Sequence, residues 1–134
     1  MNNMRMLAED EENDDGVEVT WEDQQQINTF SKLNARLRGI EDRLEQLRQE
    51  KEALDDLSTE LELMDEDMIV LYKLGESFLH LSQPKALARL ESDQAAVSAQ
   101  FSELSHVAEE CESGMKDLKV RLYAKFGRAI NLDE

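Results

Sequence analysis

Apolar residues recur in alternating steps of three and four along two long stretches of the chain. A sustained repeat of this kind makes a narrow apolar seam on a helix, which suits one partner helix. Two such stretches in one chain can cover each other if they run antiparallel. The seam positions are Ile27, Phe30, Leu33, Leu37, Ile40, Leu44, Leu47, Leu54, Leu57, Leu61 and Met64 in the first stretch, and Leu87, Leu90, Val97, Phe101, Leu104, Ala108, Cys111, Met115, Leu118 and Leu122 in the second.

Local signals set the predicted bounds of the two helices. Helix one is expected at about residues 20–66, because Thr20-Trp21-Glu22-Asp23 has the form of a capping box. Helix two is expected at about residues 83–127, because Pro84 suits a first helical turn and Gly127 suits a left-handed cap. At 1.5 Å per residue each helix is roughly 60 Å long. Arms of equal length support the antiparallel arrangement, since unequal arms would leave seam residues uncovered.

The segment between the helices, about residues 68–82, loses the three-four period. β-Branched and aromatic residues enter it, and Gly75-Glu76 lies near its middle as a tight turn. We therefore predict a β-hairpin with strands at residues 68–73 and 77–81. The predicted fold class is mainly α, a long antiparallel two-helix coiled coil with one β-hairpin between the helices.

The predicted hairpin is apolar on both faces, because alternate residues of a strand point to opposite sides and both sets are apolar. A lone two-stranded hairpin is marginal in water, and one with two apolar faces requires cover from other chains. The hairpin is therefore the expected assembly surface. Its candidate assembly residues are Ile69, Val70, Leu71, Tyr72, Phe78, Leu79 and Leu81.

Composition supports long solvated helices over a globule with a thick core. Charged residues reach 34% of the 134 residues, whereas aromatic residues are 5%. The formal net charge of −16 argues against nucleic acid or an anionic membrane as the main partner, since both are negative. The single cysteine and the lack of an apolar run at the N-terminus lead us to expect a reducing, soluble compartment.

The N-terminal segment, residues 1–18, is rich in Asp and Glu and has few apolar residues. Such a segment cannot offset its ordering entropy, so we expect a disordered acidic tail. A tail that only solvates the chain is the simpler interpretation. Docking of basic partners is the alternative.

A search for catalytic, cofactor and metal sites yields no candidate. The chain has no phosphate-binding glycine loop, and His80 and His106 stand alone in the sequence. Asp65-Glu66-Asp67 lacks the spaced ligands of a calcium loop and is interpreted as a solvated helix end. Cys111 falls on the seam, where a small buried apolar residue is expected instead of a reactive thiol. We expect no enzyme activity.

Three segments of the chain resemble the β-type prefoldin family of eukaryotes. They are Val19-Thr-Trp-Glu-Asp-Gln-Gln-Gln-Ile-Asn-Thr-Phe30 before the first arm, Tyr72-Lys-Leu-Gly-Glu-Ser-Phe78 in the hairpin, and Leu118-Lys-Val-Arg-Leu-Tyr-Ala-Lys-Phe-Gly-Arg-Ala-Ile-Asn-Leu132 at the end of the second arm. The resemblance covers about residues 19–132, and the two terminal segments are more specific than a generic heptad repeat.

The resemblance implies a heterohexamer of α-type and β-type prefoldin subunits whose hairpins form an intersubunit β-barrel. It further implies a holdase that needs no ATP, captures unfolded chains such as actin and tubulin, and delivers them to a cytosolic group II chaperonin. The implied location is the cytoplasm, with the nucleus as a second location. A structural coiled-coil adaptor without client-holding activity is the alternative function.

The ends of the two arms away from the hairpin are expected to carry the client-binding surface. Both chain ends lie there in an antiparallel pair, and the apolar residues, including those of the C-terminal tip at residues 128–134, exceed what one coiled-coil end is expected to bury. The alternative is that these residues only staple the helix ends. The candidate client-binding residues are Trp21, Leu122, Tyr123, Phe126, Ile130 and Leu132.

Overall fold

The computed structural model describes residues 5–6 and 18–132. Two long helices packed together, with a β-hairpin between them, confirm the predicted fold class. In chain order the elements are β1 (Arg5–Met6), α1 (Trp21–Glu62), β2 (Ile69–Leu74), β3 (Ser77–Ser82), α2 (Gln83–Phe126), a 3-10 turn (Gly127–Ala129) and β4 (Ile130–Asn131).

The start of α1 has the predicted capping box. The backbone N–H of Asp23 donates to the Thr20 hydroxyl at 3.1 Å, and the backbone N–H of Thr20 donates to the Asp23 carboxylate at 3.0 Å. Two amides that lack a partner within the helix are thereby satisfied.

α1 ends at Glu62, and the chain continues in a tighter turn. Leu63 and Met64 donate backbone hydrogen bonds to residues three positions earlier, at 3.2 and 3.1 Å. Hydrogen bonds of this spacing are typical of the end of a helix. α1 therefore ends before residue 66, where its end was expected. At the end of α2, Gly127 has φ +57°, the left-handed conformation that was predicted for it.

The chain divides into two compact units, each with its own core. The terminal unit consists of Met1–Asp42 and Ser105–Glu134, and the hairpin unit of Arg43–Leu104. Buried seam residues form much of both cores, and the largest fully buried side chains, Leu47, Leu61, Leu90 and Leu122, are all seam positions. The seam that the periodicity predicted is therefore confirmed.

A short sheet in the terminal unit was not predicted. β1 pairs with β4 in antiparallel register, with Arg5 opposite Asn131 and Met6 opposite Ile130. β1 lies within the segment expected to be a disordered acidic tail. Residues 1–4 and 7–17 of that segment lie outside the described residues.

Asp23 links the start of α1 to the end of α2. Its carboxylate, in a residue that is 8% exposed, receives a hydrogen bond and ion pair from the Lys125 ammonium. Burial acts to raise the pKa of Asp23, but the hydrogen bonds from Lys125 and Thr20 and the charge of Lys125 lower it below its usual value.

We predict that Asp23→Asn lowers the free energy of unfolding by about 1–2 kcal/mol at neutral pH, because it removes the ion pair with Lys125 and the negative charge of the group that accepts the hydrogen bond from Thr20. Since the folded-state pKa of Asp23 is depressed, its contribution is present above the unfolded-state pKa and is lost as the pH falls through the folded-state value. Urea unfolding followed by circular dichroism at neutral and acidic pH measures the difference. Glu22→Gln is the matched control, and an equal loss in both variants would contradict the assignment.

Candidate functional site

The hairpin is built on a tight two-residue turn. Leu74 lies opposite Ser77, so Gly75 and Glu76 form the turn. Gly75 has φ +62°, and among the described residues only glycines have positive φ. Glycine with positive φ at the first central position is typical of a type II′ turn, whose twist matches that of the strands. The turn fixes the register, in which Leu71 lies opposite His80 and Tyr72 opposite Leu79.

One face of the hairpin, the inner face, packs on the helices of the hairpin unit. Val70 and Tyr72 are buried in one cluster with Leu61, Ala86 and Leu90. Leu81 is half-buried against this cluster, and Leu79 remains partly exposed. The expectation that both faces require other chains is therefore wrong for Val70 and Tyr72, because the chain's own helices cover them.

The Tyr72 hydroxyl anchors the inner face to α2. It donates a hydrogen bond to the Asp93 carboxylate at 2.7 Å, and Arg89 pairs with the same carboxylate at 3.2 Å. Burial, followed by the hydrogen bond and the charge of Asp93, raises the pKa of Tyr72 to about 12. A tyrosine is the one residue of the inner face that both fills the core and reaches a polar partner at its edge.

The other face of the hairpin, the outer face, is apolar and open. Ile69 is 62% exposed, Leu71 55% and Phe78 54%. Cross-strand pairing brings these side chains to one side of the sheet, together with Lys73 and His80. A cluster of exposed large apolar side chains marks an interaction surface, and this is the surface that the hairpin offers.

Most of the predicted client-binding residues lie inside the terminal core. Leu122, Phe126, Ile130 and Leu132 are buried together with Ile27 and Phe30. Tyr123 is half-buried, and its hydroxyl accepts a hydrogen bond from the backbone N–H of Leu132 at 3.1 Å. The expected exposure is wrong for Leu122, Phe126, Ile130 and Leu132. The chain reverses at Gly127, so the C-terminal residues pack back onto the helices.

Among the described residues of the terminal unit, two large apolar side chains are exposed. Trp21 was predicted to be part of the tip and is 75% exposed. Val120 is 64% exposed and was missed by the sequence reasoning. Its signal in the sequence is its place between the seam residues Leu118 and Leu122, which turns it away from the partner helix.

A groove of about 380 Å³ in the terminal unit was also missed. Half of its lining residues are apolar, and three of the others are charged. No sequence pattern predicted this groove, because its lining residues come from both helices and from the residue that follows β4. The lining residues are Phe30, Asn34, Leu37, Glu112, Met115, Lys116, Lys119 and Leu132.

The described residues offer little for catalysis or metal binding. Within residues 5–6 and 18–132, no cluster of three or more His, Cys, Asp or Glu could hold a metal ion. His80 is exposed on the hairpin, and His106 pairs with Glu110 at 3.0 Å on the surface of α2. Cys111 is buried, as the seam predicted. In the same part of the chain no helix is long and apolar enough to span a membrane.

Comparison with known proteins identifies the family. The sequence profile of the prefoldin subunit family matches residues 24–129. The chain belongs to the prefoldin subunit family. It is 43% identical to Prefoldin subunit 4 of Saccharomyces cerevisiae over 97% of this chain and 99% of the yeast protein. It is 33% identical to human Prefoldin subunit 4, over 87% of this chain and 88% of the relative. The predicted resemblance to the prefoldin family of eukaryotes is confirmed, and both of these relatives are named prefoldin subunit 4.

A solved structure supports the fold independently of sequence. The prefoldin β subunit from Thermococcus strain KS-1 superposes with a TM-score of 0.72 over 82% of this chain and 96% of that chain, at 14% identity. The family makes the chain a prefoldin co-chaperone subunit that assembles with other prefoldin subunits, and its relatives' names point to a non-enzymatic role in protein folding.

We predict that Tyr72→Phe lowers the free energy of unfolding by about 1 kcal/mol, because it removes one hydrogen bond while Arg89 still pairs with Asp93. The raised folded-state pKa adds a pH dependence. The contribution is present below the unfolded-state pKa and is lost as the pH rises toward the folded-state value of about 12.

Urea unfolding of the full-length chain at neutral and alkaline pH measures both effects. Asp93→Asn, alone and combined with Tyr72→Phe, completes a double-mutant cycle. Additive losses in this cycle would contradict the proposed hydrogen bond.

Proposed function

We propose that the chain is a β-type subunit of a heterohexameric prefoldin with two α-type and four β-type subunits. The complex acts as a holdase without ATP, captures unfolded chains of the actin and tubulin class, and delivers them to a cytosolic group II chaperonin. It acts in the cytoplasm, with the nucleus as a second location. The observation that carries the assembly half of the proposal is the open apolar outer face of the hairpin.

Assembly through the hairpin follows from how its two faces are used. The inner face is already covered by the chain's own helices through Val70 and Tyr72, whereas Ile69, Leu71 and Phe78 have no cover. The hairpin is also an isolated sheet of two strands, β2 and β3. Strands from neighbouring subunits would cover the outer face and continue the sheet, and a β-barrel is the closed form that removes free edges.

We predict that Leu71→Glu combined with Phe78→Glu prevents assembly with other prefoldin subunits while helicity is retained. Charges on the outer face disfavour burial against a neighbour, but neither residue belongs to the buried cluster of the hairpin unit. Co-purification and light scattering measure assembly, and circular dichroism measures helicity. Lys73→Gln, on the same face and strand as Leu71, is the matched control.

Assembly of the doubly charged variant at wild-type yield would refute the hairpin platform. Val70 is a poor position for this test, because a charge there would be buried in the subunit's own core.

Client holding draws on exposed apolar surface in the terminal unit. In the part of that unit which the structure describes, the exposed large apolar side chains are Trp21 and Val120. Each of these two side chains offers little apolar surface, so one arm is expected to bind a client weakly. Several arms in one complex would add through effective concentration, which suits a holdase that must also release its client.

We predict that Trp21→Ser combined with Val120→Ser weakens client capture by the assembled complex several-fold without abolishing it, because the other arms still bind. Leu63→Ser is the matched control, since Leu63 is 83% exposed and lies in the hairpin unit. Binding of a labelled, chemically unfolded actin measures capture. Thermal melting shows whether the substitutions disturb the fold.

A structural adaptor is the second candidate function. The burial of Leu122, Phe126, Ile130 and Leu132 favours it, since these residues staple the helix ends and need no client. Unchanged capture in the Trp21 and Val120 variant, with assembly intact, would support the adaptor and contradict client holding through Trp21 and Val120.

A further inference from the structure

The strand β4 is anchored by alternate side chains. Ile130 and Leu132 are buried in the terminal core, while Asn131 between them is exposed. Since side chains alternate along a strand, this arrangement turns the backbone N–H and C=O groups sideways, toward a neighbouring strand. β4 therefore presents a short backbone edge that is held rigidly by the core.

β1 already occupies this edge. It pairs with β4 over two residues, Arg5 with Asn131 and Met6 with Ile130, and the sheet has no third strand among the described residues. An isolated two-stranded pairing is marginal in water, and this one is far shorter than an ordinary strand. β1 is therefore an extended segment held on the edge by few backbone bonds.

We propose that β1 is a displaceable occupant of β4, and that an extended apolar segment of an unfolded chain replaces it by strand addition. The proposal rests on the proposed holdase function and names the mode of binding. Strand addition takes its affinity from backbone hydrogen bonds, so it tolerates many sequences. A holdase for unfolded chains requires that tolerance.

The groove of the terminal unit is lined in part by the residue that follows β4 in the sequence. Leu132, which follows β4 directly, lines the groove together with Phe30, Leu37 and Met115. An added strand would place alternate side chains on either side of its own backbone. Four of the eight lining residues of the groove are apolar, so side chains of an added strand that reach it would find apolar contacts, and the backbone edge would hold the segment in register.

Occupancy by β1 weakens client binding, because a client must compete with a segment of the same chain. The apparent affinity of a site falls in proportion to the fraction of molecules in which the site is open. Release of β1 should therefore raise client affinity at this subunit, and fixation of β1 should lower it.

The test uses the assembled complex and a synthetic photo-crosslinking peptide of alternating Val and Thr. The readout is the fraction of this chain that the peptide labels, which separates this subunit from the others. A matched peptide carries N-methyl groups on alternate backbone amides, which removes hydrogen-bond donors while the side chains remain.

Release of β1 is tested with Arg5→Pro combined with Met6→Pro, since proline lacks the N–H donor and disfavours a paired strand. The expected result is half-maximal labelling at about a two- to tenfold lower peptide concentration, the range that loss of one or two hydrogen bonds allows. Arg5→Ala combined with Met6→Ala, which keeps both backbone N–H groups, is the control, and it should behave as the wild type.

Fixation of β1 is tested with Arg5→Cys combined with Asn131→Cys, which places cysteines directly opposite each other across the sheet. Labelling should fall when the disulfide forms and return on reduction. The N-methylated peptide should label all variants weakly. Equal labelling by both peptides, or no response to release and fixation, would overturn the proposal while leaving holdase activity intact. Failure of the wild-type complex to hold any unfolded chain would instead remove the proposed function and, with it, this inference.

Discussion

The structure depends on the burial of a narrow apolar seam between two helices of the same chain. Leu47, Leu61, Leu90 and Leu122 are the most completely buried large side chains, and all lie on that seam. A seam covers only one strip of each helix, so the remaining surface must be polar. The high content of charged residues follows from this requirement.

Each unit completes its core with a segment that is not helical. In the terminal unit Ile130 and Leu132, after the turn at Gly127, join the core that the helices begin. In the hairpin unit Val70 and Tyr72 do the same from β2. Where a helix pair ends, seam residues lose neighbours on one side, and a returning segment replaces those contacts. The segment at residues 130–132 and the strand β2 thus each cover the apolar core at one end of the helix pair.

The same arrangement determines which surfaces remain for partners. Because one face of the hairpin is needed for the chain's own core, the apolar residues of the other face, Ile69, Leu71 and Phe78, are left exposed. Because Ile130 and Leu132 are needed for the terminal core, they are buried, and among the described residues of this unit Trp21 and Val120 remain exposed. The interaction surfaces of this protein consist of apolar side chains that neither unit needs for its own core.

The sequence by itself determined the two helices, the hairpin and the family. Periodicity gave the seam, the capping box at Thr20 and Asp23 gave the start of α1, and Gly75 gave the hairpin turn, because these signals depend on residues close together in the chain. Tertiary structure decided which apolar residues are exposed. Val70 and Ile69 look alike in sequence, yet Val70 is buried and Ile69 is exposed. Only the packing of distant segments separates them, since burial depends on neighbours that no local pattern specifies.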